Sequence, residues 1–68
     1  MYLLEITKAN GVAAKAIWDK TDPDDALMQK HQIMASAIAN PNVSSALVIV
    51  LSEEGAVLDH EFWKRQEA

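Results

Sequence analysis

Residues 2–19 read YLLEITKANGVAAKAIWD. Two runs carrying Leu, Ile, Val and Thr flank Asn10-Gly11, the strongest short-range hairpin signal a sequence contains. Asn and Gly both accept the positive φ of a two-residue type I′ turn, whose twist matches that of the strands it joins. With Ala9 opposite Val12 the register follows. Leu4 pairs with Ile17 and Ile6 with Lys15 on one face, and Leu3 with Trp18 and Glu5 with Ala16 on the other. Both faces carry apolar groups, whereas a half-buried hairpin normally alternates. Leu3 and Trp18 are therefore either core residues brought round by a bulge or an exposed adhesive pair.

Asp22-Pro23-Asp24-Asp25 predicts a helix start. Asp22 can accept a backbone N–H as N-cap, Pro23 fits the first helical position, and two acids favour the positive end of the dipole. Pro41 disfavours helical geometry at Asn40, so the helix should span Pro23 to Ala39. On a 3.6-residue wheel Leu27, His31, Met34, Ala35 and Ile38 form the central apolar stripe, with Ala26, Ile33 and Ala37 on one flank and Met28 on the other. The polar back, Asp25, Gln29, Gln32 and Ser36, is narrow.

Ala46 to Leu51 is an uninterrupted apolar, β-branched run, as in a strand covered on both faces. Ser52-Glu53-Glu54-Gly55 makes a polar turn, and Ala56 to Trp63 alternates, so a second hairpin results. The predicted fold is α+β, ββαββ: an antiparallel four-stranded sheet in order 2-1-3-4 with one helix on one face. A single domain covers residues 1–68, with hairpin 2–19, helix 23–39, hairpin 43–63 and a short charged tail 64–68. The runner-up makes Asp59–Arg65 a short terminal helix.

Composition narrows the function. Half of the 68 residues are hydrophobic, but 11 are alanine, so the core is small. A chain this short rarely obtains more than about 3–5 kcal/mol from its core without a staple or a partner. Cysteine is absent, which removes disulfides and thiolate chemistry together. Self-association is the stabiliser left. A net charge of −4 opposes binding to nucleic acid or to an anionic membrane. Met1 to Leu4 is followed at once by Glu5, unlike a signal peptide, and no apolar run approaches the roughly 18 residues of a membrane span. A cytoplasmic, soluble domain is expected.

Catalytic constellations do not assemble on paper. His31 in the helix stripe and His60 on the last strand could converge on a metal or act as a proton switch, but two imidazoles alone do not make a zinc site. Each is read as a partly buried structural ring. Asp19, Asp22, Asp24 and Asp25 lack the spacing and the glycine of a calcium loop. Ser44, Ser45 and Ser52 have no elbow motif, and Gly11 and Gly55 serve turns rather than a phosphate cradle. No catalytic residue, metal ligand or cofactor is assigned, and an enzyme acting alone is not expected.

The aromatics remain. Stacking on nucleic acid would need Lys and Arg interleaved with them, and the basic residues here are scattered. The favoured reading places Leu3, Trp18, Val57 and Trp63 together on the sheet face away from the helix, buried against another chain. The rival has them close the monomer's own core through bulges or by covering edges.

The opening MYLLEITKANG, the stretch from His31 to Ala37 and the closing Glu61-Phe62-Trp63 together resemble a group of very small proteins found in Firmicute genomes and prophages. The resemblance spans nearly the whole chain and implies a bacterial or phage-borne accessory protein. That group has no assigned activity, so no site residue carries over from it. Two functions follow as expectations: a non-enzymatic protein–protein interaction module, homodimeric or larger, or an acidic inhibitor occupying the basic cleft of a nucleic-acid enzyme.

Overall fold

The structure, a computed structural model, describes residues 1–66. Its elements are β1 (Tyr2–Ala9), β2 (Val12–Asp19), α1 (Pro23–Ala39), β3 (Val43–Leu51) and β4 (Val57–Lys64). The four strands form one antiparallel sheet in the order β2-β1-β3-β4, as the sequence predicts. Asn10 at φ 53° and Gly11 at φ 78° turn the first hairpin, and the register puts Ala9 opposite Val12, Leu4 opposite Ile17 and Leu3 opposite Trp18. Both positive φ angles are those a type I′ turn requires.

The helix begins and ends where local chemistry dictates. The Asp22 carboxylate accepts the Asp24 N–H at 3.0 Å, and Pro23 occupies the first turn, where a missing N–H costs nothing. At the other end Asn40 leaves helical geometry at φ −92°, ψ 112°, as a residue before proline must. The helix has no basic residue in its own last turn, and Arg65 supplies the cation from the far end of the chain. Its Nε donates to the Val43 carbonyl at 3.0 Å, and one Nη donates to the carbonyls of Ile38 at 3.1 Å and Asn40 at 3.0 Å. The same guanidinium lies 4.8 Å from the Trp63 ring centroid, a cation–π arrangement that fixes its plane. The expected tail is therefore shorter than residues 64–68. Lys64 ends β4, the Arg65 N–H bonds to the Ser44 carbonyl at 2.8 Å, and residues 67 and 68 lie outside the described part. Asp59 to Lys64 is strand, so the terminal-helix alternative does not occur.

One layer of packing holds helix to sheet. Leu3, Val43, Ala46, Val48 and Val50 from the sheet meet Ala26, Met34 and Ala37 of α1, with Trp18, Ile33 and Trp63 packed around them. The helix is rotated relative to the predicted wheel. Ala26, Lys30, Met34 and Ala37 are buried, while Leu27, His31, Ala35 and Ile38 of the expected stripe are exposed. Small side chains line this contact: Ala26 and Ala37 of α1 and Ala46 of β3 all belong to the buried cluster, and Lys30 buries its aliphatic stem while its ammonium reaches Asp59.

Candidate functional site

The helix covers only one face of the sheet. Because strand neighbours alternate, the register assigns every residue to a face. The helix-side face carries Leu3, Glu5 and Thr7 of β1 with their partners Trp18, Ala16, Ala14, Val50, Val48 and Ala46; α1 packs over β3 and β1 and leaves Ala14 exposed. The opposite face is open, and it is built of four cross-strand rows. The first row reads Asp19, Tyr2, Leu51, Val57 across β2, β1, β3 and β4; the second Ile17, Leu4, Ile49, His60; the third Lys15, Ile6, Leu47, Phe62; the fourth Ala13, Lys8, Ser45, Lys64.

Three of those rows are predominantly apolar. Leu4, Ile6, Leu47, Ile49 and Leu51 are half-buried by their neighbours, and Ile17, Val57, Phe62 and Tyr2 keep 64%, 60%, 60% and 39% of their surface exposed. At about 150–250 Å² for a fully exposed large side chain, these last four alone leave on the order of 400 Å² of mostly apolar surface in water. A contiguous patch of that size lies within the roughly 300–600 Å² of the largest apolar patch on a typical monomer, a patch that is often functional.

The four residues expected to form an interface do not share this face. Leu3 is fully buried between Trp18 and Val50 under α1, and Trp18 and Trp63 pack against the same core. Only Val57, opposite Leu51, stands on the open side. The placement away from the helix is thus corrected for Leu3, Trp18 and Trp63, which close the monomer's core as the rival reading had it. They do so by ordinary alternation rather than by a bulge. The irregularity between Val50 and Leu51, where Leu58 is the unpaired extra residue, separates Val57 from Trp63: beyond it the strand's alternation shifts by one. The residues missed were Leu4, Ile6, Ile17, Leu47, Ile49 and Phe62. A signal was present, since their positions carry bulky aliphatic or aromatic groups on every strand whereas the helix-side position opposite Thr7 on β3 is Ala46, a small residue that the helix buries completely.

Polar groups elsewhere are engaged in structure. Asp25 pairs with Lys20 at 3.1 Å, and Asp59 accepts from Lys30 at 2.6 Å. The Lys30 ammonium, helped by the His60 N–H, holds the Asp59 carboxyl below its ordinary value against the opposing effect of burial. Ser44 Oγ donates to the Lys8 carbonyl and Ser52 Oγ accepts from the Ala56 N–H, so neither hydroxyl is poised as a nucleophile. His31 sits on the outer side of α1 and His60 on the open sheet face, so the two imidazoles lie on opposite sides of the molecule. Among the described residues no group of three or more His, Asp or Glu is arranged to hold a metal, and no helix is long and apolar enough to cross a membrane. Two depressions flank α1. One, of about 320 Å³, lies between its first turns and Leu58; the other, of about 270 Å³, lies over Glu5 and Trp18.

Charge on the open face is polarised along the strands. Lys8, Lys15 and Lys64 occupy the third and fourth rows, while Asp19 lies in the first, at the same end of the sheet as the exposed Glu53-Glu54 turn that joins β3 to β4. Comparison with protein-family models, curated proteins and solved structures finds no match to this chain.

Proposed function

We propose that this protein is a non-enzymatic protein–protein interaction module that works as a homo-oligomer, with the open sheet face as its interface. The observation that carries the reading is the continuous apolar surface of Tyr2, Leu4, Ile6, Ile17, Leu47, Ile49, Val57 and Phe62 opposite the helix. Burying on the order of 400 Å² per copy at about 25 cal/mol per Å² stabilises by about 10 kcal/mol per copy. That exceeds the lower estimates of about 4–15 kcal/mol for the entropy of association, so a micromolar complex is expected. The resemblance to small prophage-type proteins is in keeping with an accessory role in a bacterial cytoplasm.

The acidic-inhibitor reading finds less support. Mimicry of a phosphate backbone needs acids collected and free on one face, and here Asp25 and Asp59 are already paired with lysines while Asp22 caps the helix. Sedimentation equilibrium tests the proposal. Association with a dissociation constant near or below about 100 μM supports it, together with a thermal midpoint that rises with protein concentration. A monomer at that concentration with a constant midpoint rejects it.

A further inference from the structure

Of the two aligned ways of stacking the open face on its own copy, one is complementary in charge. Two copies of a sheet pack face to face about a two-fold axis lying in the interface, and in an aligned sandwich that axis runs either along the strands or across them. With the axis along the strands each row meets its own copy, so Lys8, Lys15 and Lys64 confront the same three lysines. With the axis across the strands the row order reverses and each strand lies over its own copy. Lys64 on β4 then stands over the partner's Val57, next to the Glu53-Glu54 turn, and the row that holds Lys8 lies over the partner's row that ends in Asp19. The central rows, through Leu4 and Ile49 and through Ile6 and Leu47, meet in either case. Apolar burial therefore does not choose between the two orientations, and charge does.

From this polarity we infer that the occupant of the open face is a second copy of the chain, turned end for end, giving an eight-stranded two-layer sandwich with both helices outside. The inference rests on the self-association proposed above and adds its geometry. Area agrees with a second copy as occupant. Counting the half-buried aliphatics, the two faces together bury about 1,000–1,200 Å², the low end for a specific interface and the range of a reversible dimer.

Charge reversal gives the two orientations opposite signs. Lys64→Glu places an acid next to the partner's Glu53-Glu54 turn in the end-for-end dimer, and should weaken it roughly 3–10-fold, as expected for two screened surface pairs per dimer. Lys64→Glu combined with Glu54→Lys exchanges the charges and should restore association to within about 2-fold of the wild type. Lys64 and Glu54 sit at opposite ends of β4, so the exchange cannot act within one chain. Tightening by Lys64→Glu, no change, or failure of the second substitution to restore the dimer overturns the end-for-end arrangement.

Cross-linking is an independent check, since the chain has no cysteine. Subunits carrying Lys64→Cys, mixed with subunits carrying Glu54→Cys, should be joined by a short bismaleimide suited to sheets packed about 10 Å apart. Mixed instead with Ala13→Cys subunits, they should not be. Joining to the Ala13 position, or to neither, contradicts the arrangement. A wild type that sediments as a monomer removes the underlying proposal instead, so the two failures are told apart.

Discussion

Lys30 and Asp59 form the one ion pair that joins helix to sheet among the described residues: Nζ lies 2.6 Å from Oδ2, with the lysine side chain 9% exposed and the aspartate 45%. The pair is lopsided. Removing the carboxylate strands a buried ammonium, whereas removing the ammonium leaves an acid that water already reaches. Asp59→Asn should therefore destabilise by up to about 1 kcal/mol and Lys30→Met by less. Urea denaturation of both variants checks the order, and equal losses would show the pair to be symmetric.

The same contact sets a pH dependence. The folded-state pKa of Asp59 is depressed, chiefly by the hydrogen bond from Lys30, so its contribution is complete above the unfolded carboxyl value of about 3.9 and is lost as pH falls through the folded value. Half exposure screens the pair to less than about 1 kcal/mol. The wild type should lose stability relative to Asp59→Asn only below about pH 4, and a difference between the two that stays constant from about pH 6 to pH 2 would refute this linkage.

At Gly11, φ is 78° and a Cβ built there meets nothing within 4 Å. Any penalty on substitution is thus backbone strain alone. Gly11→Val should cost on the order of 1–2 kcal/mol in the same denaturation assay, and a neutral result would contradict the left-handed turn.

Arg65 should matter more than an ordinary terminal charge, because one guanidinium serves three carbonyls at the end of α1 and stacks near Trp63. Arg65→Met is expected to lower stability by about 1–2 kcal/mol, and Arg65→Lys to recover less than half of that, since an ammonium lacks the planar fork. Full rescue by lysine would reduce the contact to simple charge.

Much of this fold was legible in a few residues: Asn10-Gly11 for the first hairpin, Asp22-Pro23 and Pro41 for the helix limits, Gly55 for the second turn. Each acts through local backbone geometry, which survives without knowledge of tertiary packing. The face the helix covers was not legible in the same way. Leu3 and Leu4 are adjacent and equally apolar, so alternation in β1 could not say which points to the helix, and the extra residue at Leu58 shifted the reading of β4 by one. Lys30 has no place in the apolar stripe read from the wheel, yet its stem packs inward while its ammonium reaches Asp59. Choosing the correct side depends on which residues of α1, among them Ala26, Met34 and Ala37, enter the same buried cluster as Leu3, Ala46 and Val48, a grouping that three-dimensional contact shows.

The central claim, that the face opposite the helix is where two chains meet, is tested most directly by sedimentation equilibrium of Phe62→Lys beside the wild type at about 100 μM. Phe62 is 60% exposed and stands on the sheet face opposite the helix, so the substitution should leave the monomer's fold, read by circular dichroism, unchanged. The account predicts a wild-type dimer and a folded Phe62→Lys monomer. A Phe62→Lys protein that associates as tightly as the wild type would contradict it.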